Sequence, residues 1–264
     1  MAWQYCSVER DGHVTLVTIK RAEVMNALHP PANFELEQIF DEFAADPGQW
    51  VAILTGAGDR AFSAGNDLKF AAELAQRGER ISVPKTGFGG LTSRFDLTKP
   101  VIAAVNGLAL GGGFEMALAT DLIIAAESAQ FALPEPKVGM VALAGGLQRL
   151  PRQIGLKQAM GLILTGRRVN AARGEQLGFV NQVVAPQELL PTARSLAAEI
   201  IQCSPRSVRA SKQAALRGLD EPDLASALTH QRQYPAMRDL LDSEDVKEGP
   251  RAFAEKRAPR WQDV

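Results

Sequence analysis

Apolar and polar residues alternate along His13-Val-Thr-Leu-Val-Thr-Ile-Lys20, the period-two pattern of a half-buried strand. The pattern breaks over Arg21 to Pro31. Phe34, Leu36, Ile39, Phe40 and Phe43 then recur at helical spacing, until Asp46-Pro47-Gly48 ends that helix. Trp50 to Thr55 and Val101 to Val105 are short continuous apolar runs, as expected of buried strands, the second launched by Lys99-Pro100. A helix is expected from near Gly112, and Asp121 to Ala126 reads as a further strand. Strand and helix alternate through roughly the first two-thirds of the chain, which argues for an α/β core. Beyond Pro186 the periodicity is only helical, over Leu189 to Gln202, Pro205 to Arg217 and Asp223 to Leu241. The expected division is a core of residues 1–188 and a helical part of residues 189–264. The amphipathic surface of that second part suits an oligomer interface. Gly78 to Gly90 is polar and glycine-bearing, the composition of a mobile loop. No internal repeat is visible in the sequence.

Composition narrows the function classes. The 264 residues are 46% hydrophobic and 22% charged, ordinary for a globular chain with a substantial core. Lys plus Arg number 29 against 30 Asp plus Glu, a net charge of -1, without the basic excess of a nucleic-acid-binding domain. Arg149, Arg152, Arg167 and Arg168 have no interleaved aromatics and read as a solvated face. Cys6 and Cys203 lie far apart and form no CxxC, and the three histidines show no HExxH spacing, so no metal site is expected. Met1 to Gly12 carries Glu9 and Asp11 and no apolar core of a signal peptide. Apolar runs such as Leu122 to Ala126 fall far short of a membrane span. The expectation is a reduced, cytoplasmic protein without membrane or nucleic-acid partners.

Three features carry candidate chemistry. Gly56-Ala-Gly58-Asp-Arg-Ala61 matches the G-x-G-x-x-A dinucleotide fingerprint, but no helix opens directly after it and no acidic residue ends the next strand. A nicotinamide or flavin site is therefore not expected. Gly111-Gly112-Gly113 lies between a strand and a helix, where glycine permits close backbone approach and the first helical N–H groups are unpaired. A second small-residue turn, Phe62-Ser-Ala64-Gly65-Asn66-Asp67-Leu68, also leads into a helix. Ala64 and Gly112 would each supply one backbone donor to an oxyanion hole. Finally, Glu115 falls in the first helical turn after the glycines, and Glu135 stands between Pro134 and Pro136 on a rigid perch, making a candidate acid–base pair.

With these residues in place, the chain resembles the crotonase superfamily, and within it the enoyl-coenzyme A hydratases. The resemblance rests on Asn26-Ala-Leu28, Thr55-Gly-Ala-Gly58, Ala61-Phe-Ser-Ala-Gly65, Ala104-Val-Asn-Gly107, Gly111-Gly-Gly-Phe-Glu115, Gln130-Phe131, Pro134-Glu135, Ala144-Gly-Gly146, Thr165-Gly166 and Phe253-Ala-Glu-Lys-Arg257, in that order. It implies an α/β fold, a crotonase-like spiral of ββα units with a C-terminal α-helical oligomerisation domain, assembled as a homotrimer or a dimer of trimers. It implies an acyl thioester of coenzyme A as substrate, with coenzyme A part of that substrate and no separate cofactor. Glu115 and Glu135 stand where hydratases keep their acidic residues; Glu135 is expected to protonate the α-carbon and Glu115 to take a proton from water. Val24 in the Arg21 to Leu28 segment, with Ala64, Gly65, Asn66, Asp67, Leu68 and Gly112, would line the coenzyme groove. Phe253 and Lys256 would close it from a neighbouring subunit, with Lys256 near a phosphate. Where hydratases carry Pro-Gly before Ala-Gly-Gly, this chain has Ala142-Leu143, and Phe114 and Met140 are bulkier than many counterparts. Rival readings are a carnitinyl-coenzyme A dehydratase, an enoyl-coenzyme A isomerase, and an inactive or RNA-binding relative.

Overall fold

The computed structural model describes residues 3–263. Its organising element is a six-stranded sheet in the order β1 (Cys6–Asp11), β2 (Val14–Ile19), β3 (Val51–Gly56), β5 (Val101–Val105), β7 (Leu122–Ala126) and β10 (Gln182–Val184). The β1–β2 hairpin is antiparallel and every other pairing in this sheet is parallel. A second sheet runs β4 (Ala61–Ser63), β6 (Leu108–Leu110), β8 (Gln130–Ala132) and β9 (Val169–Asn170). Three successive strand pairs, β3–β4, β5–β6 and β7–β8, each place one strand in the large sheet and the next in the small one. Helices follow: α2 (Leu68–Gln76) after the first pair, α3 (Gly112–Ala119) after the second, and α4 (Gly146–Ile154) after the third. This is a spiral of ββα units. The repeat is one of strand pairing and not of side chains, which is why the sequence does not display it.

Strands β3, β5 and β7 are buried on both faces, the condition that produces continuous apolar runs. Ala52, Leu54, Ala103 and Val105 face one core with α1 (Pro30–Ala45) and α3, while Val51, Ile53, Ile102 and Ala104 face another. After α5 (Leu156–Ile163) and α6 (Ala171–Leu177), α7 (Leu189–Ile201) covers that second face with Leu189, Ala193 and Ala197. The first helix beyond residue 188 therefore packs as part of the core, on the sheet side of the expected division.

Several local expectations change. β1 is an edge strand exposed over Glu9–Asp11, with too few apolar positions for a clear alternation, and β6, β9 and β10 are two or three residues long, too short for a periodic signal. The Asp223 to Leu241 stretch is interrupted: α9 (Leu224–His230) and α10 (Pro235–Leu241) flank a 3-10 turn, because Pro235 has no N–H to continue the first helix. α8 (Pro205–Gly218) packs on α10, and α11 (Asp245–Ala254) follows. The Gly78 to Gly90 loop is packed in its second half. Phe88, Gly89 and Gly90 are buried, Gly89 N–H donates to Asn33 Oδ1 at 2.7 Å, and Phe88 N–H donates to Thr92 Oγ1 at 2.8 Å. No helix among the described residues is long and apolar enough to cross a membrane.

Candidate active site

The two glycine-bearing turns meet at the mouth of the small sheet. A Cβ on Gly65 would lie 2.6 Å from Leu110 O and 2.9 Å from Gly112 N, and one on Gly113 would overlap Ser63 O. Only glycine permits that approach, and Gly65 also has φ +87. At the second turn Gly111 caps α3, and Glu115 N–H donates to Gly111 O at 2.9 Å. The N–H groups of Gly112 and Gly113 have no acceptor among the described residues, as the first turn of a helix dictates.

The first turn differs from expectation. Ala64 N–H donates to Met25 O at 2.9 Å, so it is not available to a substrate. Gly65 N–H donates to Ser63 Oγ at 3.1 Å and Asp67 N–H to Leu28 O at 3.0 Å. Between Ala64 and Asp67, Asn66 N–H is the backbone donor without an acceptor among the described residues. The two turns therefore leave open Asn66 N–H and the Gly112 and Gly113 N–H groups, whereas Ala64 N–H, expected as a donor to substrate, is already engaged by Met25 O.

Glu115 and Glu135 converge on the same place. Glu115 is 3% exposed, and its Oε1 accepts from Gly146 N–H at 2.9 Å at the start of α4. Glu135 opens a 3-10 turn over Glu135–Val138, and its Oε1 lies 2.8 Å from where a Gly111 Cβ would stand. Its Oε2 is buried without a hydrogen-bond partner. Burial raises Glu115 to about 7; the Glu135 charge adds to that rise, and the Gly146 N–H opposes it. Burial also raises Glu135 above the usual carboxylate range. Glu115 therefore holds its proton toward neutral pH, and Glu135 is harder to ionise than a free carboxyl.

Two side chains at this site escaped the sequence reading. The ring of Phe88 stands 2.6 Å from the position a Gly112 Cβ would take, so the packed end of the supposed mobile loop walls the donor turn. Arg149 is not part of a solvated face. Burial lowers its pKa, the Glu115 charge opposes that shift, and its guanidinium lies 5.9 Å from the centroid of the Phe95 ring. Arg152, three residues on, is exposed.

The other candidate residues divide into near and far. Asp67 caps α2 through Phe70 N–H at 3.1 Å and pairs with Arg21 at 3.0 Å, which secures the Arg21 to Leu28 segment beside the first turn. Val24 and Leu68 are exposed there. Phe253, 88% exposed, and Lys256 lie on and just beyond α11, which packs on α10. Phe114 is 1% exposed and packs with Phe131 and Phe179 in the core, so it is not a pocket wall. Met140 and Leu143 are exposed and Ala142 is buried. Among the described residues no cluster of His, Cys, Asp or Glu could hold a metal ion.

The chain is similar to known proteins over nearly its whole length. The family described as enoyl-CoA hydratase/isomerase matches residues 9–264. The chain is 45% identical over 258 residues to a carnitinyl-CoA dehydratase of Salmonella arizonae, covering 96% of each chain. It is 44% identical over 259 residues to a carnitinyl-CoA dehydratase of Escherichia coli, again covering 96% of each. The fold matches the crystal structure of an enoyl-CoA hydratase from Mycobacterium tuberculosis with TM-score 0.90 at 39% identity, covering 98% of this chain and 99% of that one.

Proposed function

We propose a reaction from the premise that the chain belongs to the enoyl-CoA hydratase/isomerase family, within the crotonase superfamily: reversible syn addition of water to a 2-enoyl-CoA, giving the 3-hydroxyacyl-CoA. The observation that carries this reading is the convergence of buried Glu115 and half-buried Glu135, both made harder to ionise by burial, beside the open Asn66 and Gly112 N–H groups. Hydration needs both functions at once. Water must lose a proton as its oxygen bonds to C3, and the electron pair displaced from the double bond must come to rest on the thioester oxygen. Asn66 and Gly112 N–H groups aimed at that oxygen hold the enolate, each such donor contributing roughly 3 kcal/mol. The enolate then takes a proton at C2.

In this reading Glu115 is the base. Its Oε1 is anchored by Gly146 N–H, which supports the ionised form, and its other oxygen remains for water. Glu135 is the acid, its unpartnered Oε2 being the place for the transferred proton. One proton enters the pair from water and one leaves to C2, so a transfer from Glu115 to Glu135 resets the site. No resident cofactor takes part, coenzyme A being carried by the substrate. Phe253 and Lys256 would reach this site only from a neighbouring copy, in keeping with an oligomer.

A specific observation supports a second reading, dehydration of carnitinyl-CoA: relatives so named are 44–45% identical over 96% of the chain. The same carboxyl pair and donors run the reaction backwards, so the two readings differ in acyl group and not in chemistry. The test is loss of the conjugated enoyl-thioester absorbance with crotonyl-CoA and, separately, its appearance with carnitinyl-CoA. Turnover of either that falls by about 10²–10⁴-fold in both Glu115→Gln and Glu135→Gln is the expected outcome. Near-native rates in either variant would remove the carboxyl pair from the mechanism, and preference between the substrates decides the acyl group.

A further inference from the structure

The Asn66 N–H has no acceptor of its own, yet every other polar backbone group that sets its direction is held. Gly65 O accepts from Leu28 N–H at 2.8 Å. In a planar trans peptide the N–H points opposite to the C=O, so this bond turns Asn66 N–H away from Leu28. On one side of that peptide Asp67 N–H is held by Leu28 O; on the other Gly65 N–H is held by Ser63 Oγ at 3.1 Å. Of these three clamps, only the last is a side chain.

Ser63 earns that place through its own second bond. Its hydroxyl donates to Asn26 O at 2.8 Å while accepting from Gly65 N–H, and the residue is fully buried. Asn26 is in turn immobilised. Its Nδ2 donates to Ala57 O at 3.0 Å and to Ala61 O at 2.7 Å, and its Oδ1 accepts from Arg21 N–H at 3.0 Å. Met25 and Asn26 have φ of 58 and 53, a left-handed pair that turns Met25 O and Asn26 O toward the Ser63–Gly65 strand end. The hydroxyl thus bridges a rigid buried hub and the flexible glycine that precedes the donor.

We propose that Ser63 is a positioning residue for the reaction, its hydroxyl aiming the Asn66 N–H at the developing oxyanion by fixing the Gly65 peptide against Asn26. This rests on the reading of Asn66 N–H as an oxyanion donor. Ser63 does not touch the substrate. It acts through Gly65, the residue with the largest conformational freedom in the turn. Removing the hydroxyl leaves Gly65 N–H and Asn26 C=O buried without that partner, and the peptide can turn to seek others. Asn26 itself is a poor probe because its side chain alone holds Arg21 N–H, Ala57 O and Ala61 O.

The experiment compares wild type with Ser63→Ala and Ser63→Cys, the latter keeping a weaker donor and acceptor of similar size. Three quantities are read: kcat and KM for crotonyl-CoA hydration, the thermal midpoint, and the red shift of bound cinnamoyl-CoA. That shift reports how strongly the thioester carbonyl is polarised. Ser63→Ala is expected to lose roughly tenfold in kcat, a part of what deleting a whole donor costs, with KM within about twofold and a smaller red shift. Ser63→Cys is expected to fall between the two, which keeps the test open if the alanine variant does not fold. An unchanged kcat and red shift in a folded variant would overturn the proposal. So would a lower thermal midpoint with a full red shift in the bound fraction, the mark of a merely structural role. A wild-type protein that binds the probe without any red shift would instead overturn the oxyanion reading itself, and this assignment with it.

Discussion

The two turns that meet at the site free a backbone donor by opposite means. At Gly112 the donor is free because a helix begins there and its first N–H groups have no carbonyl one turn back. At Asn66 the donor is free because its neighbours are all engaged, by Met25, Ser63 and Leu28 from up to thirty-nine residues away in sequence. One is a local consequence of secondary structure, legible as a glycine run between strand and helix. The other is what remains after long-range hydrogen bonds have been allotted. A donor of the first kind is robust to change nearby; a donor of the second kind depends on each bond that surrounds it.

That contrast can be broken most severely at Gly65. Gly65→Ala must place a Cβ against Leu110 O and Gly112 N at φ +87, so it displaces both donors together, and kcat for enoyl-CoA hydration should fall by at least about 10²–10³-fold. Gly112→Ala keeps its N–H at an ordinary φ and meets the ring of the buried Phe88 and not backbone, so a milder loss is expected in the same assay. Equal losses at the two positions would contradict the difference drawn between the turns.

The carboxyl carried by the helical turn offers a stability test. Glu115 has its pKa raised from 4.5 to about 7 by burial, so the folded protein binds a proton that the unfolded chain releases. Its contribution is fully present below the unfolded value and is lost as pH rises through about 7. Glu115→Gln removes this burden. Above pH 7 the variant should be more stable than wild type by up to about 3 kcal/mol in urea unfolding, and the gain should vanish in acid. A gain that is independent of pH would mean that the carboxyl is not held against ionisation. The smallest effect is expected at Asn66→Ala. The donor is a backbone group, so kcat should stay close to wild type, and a large loss would transfer the role to the amide side chain.

Much of the fold was legible because the cause is local. Val51 to Leu54 and Val101 to Val105 are apolar throughout since both faces of those strands are covered, and α1 is framed by Pro30, Pro31 and the Asp46-Pro47-Gly48 stop. The edge strand β1 and the short strands β6, β9 and β10 were not legible, for they are held by partners and not by pattern. The same boundary runs through the site. Glu115 and Glu135 announce themselves by side-chain chemistry in constrained positions, and Gly112 by the helix that follows. Arg149 and Phe88 do not, because burial beside Glu115 and contact with Gly112 are set by how α4 and the Pro84 to Leu91 segment return to α3.

By itself, then, the sequence determined the alternating α/β core, the carboxyl pair and one of the two donor turns, each through a property carried by the residues themselves. Only the tertiary structure decided that Asn66 and not Ala64 offers the second donor. Every residue but proline bears the same N–H, so no side chain marks which one is free. That depends on which distant carbonyl or hydroxyl has already taken each of the others.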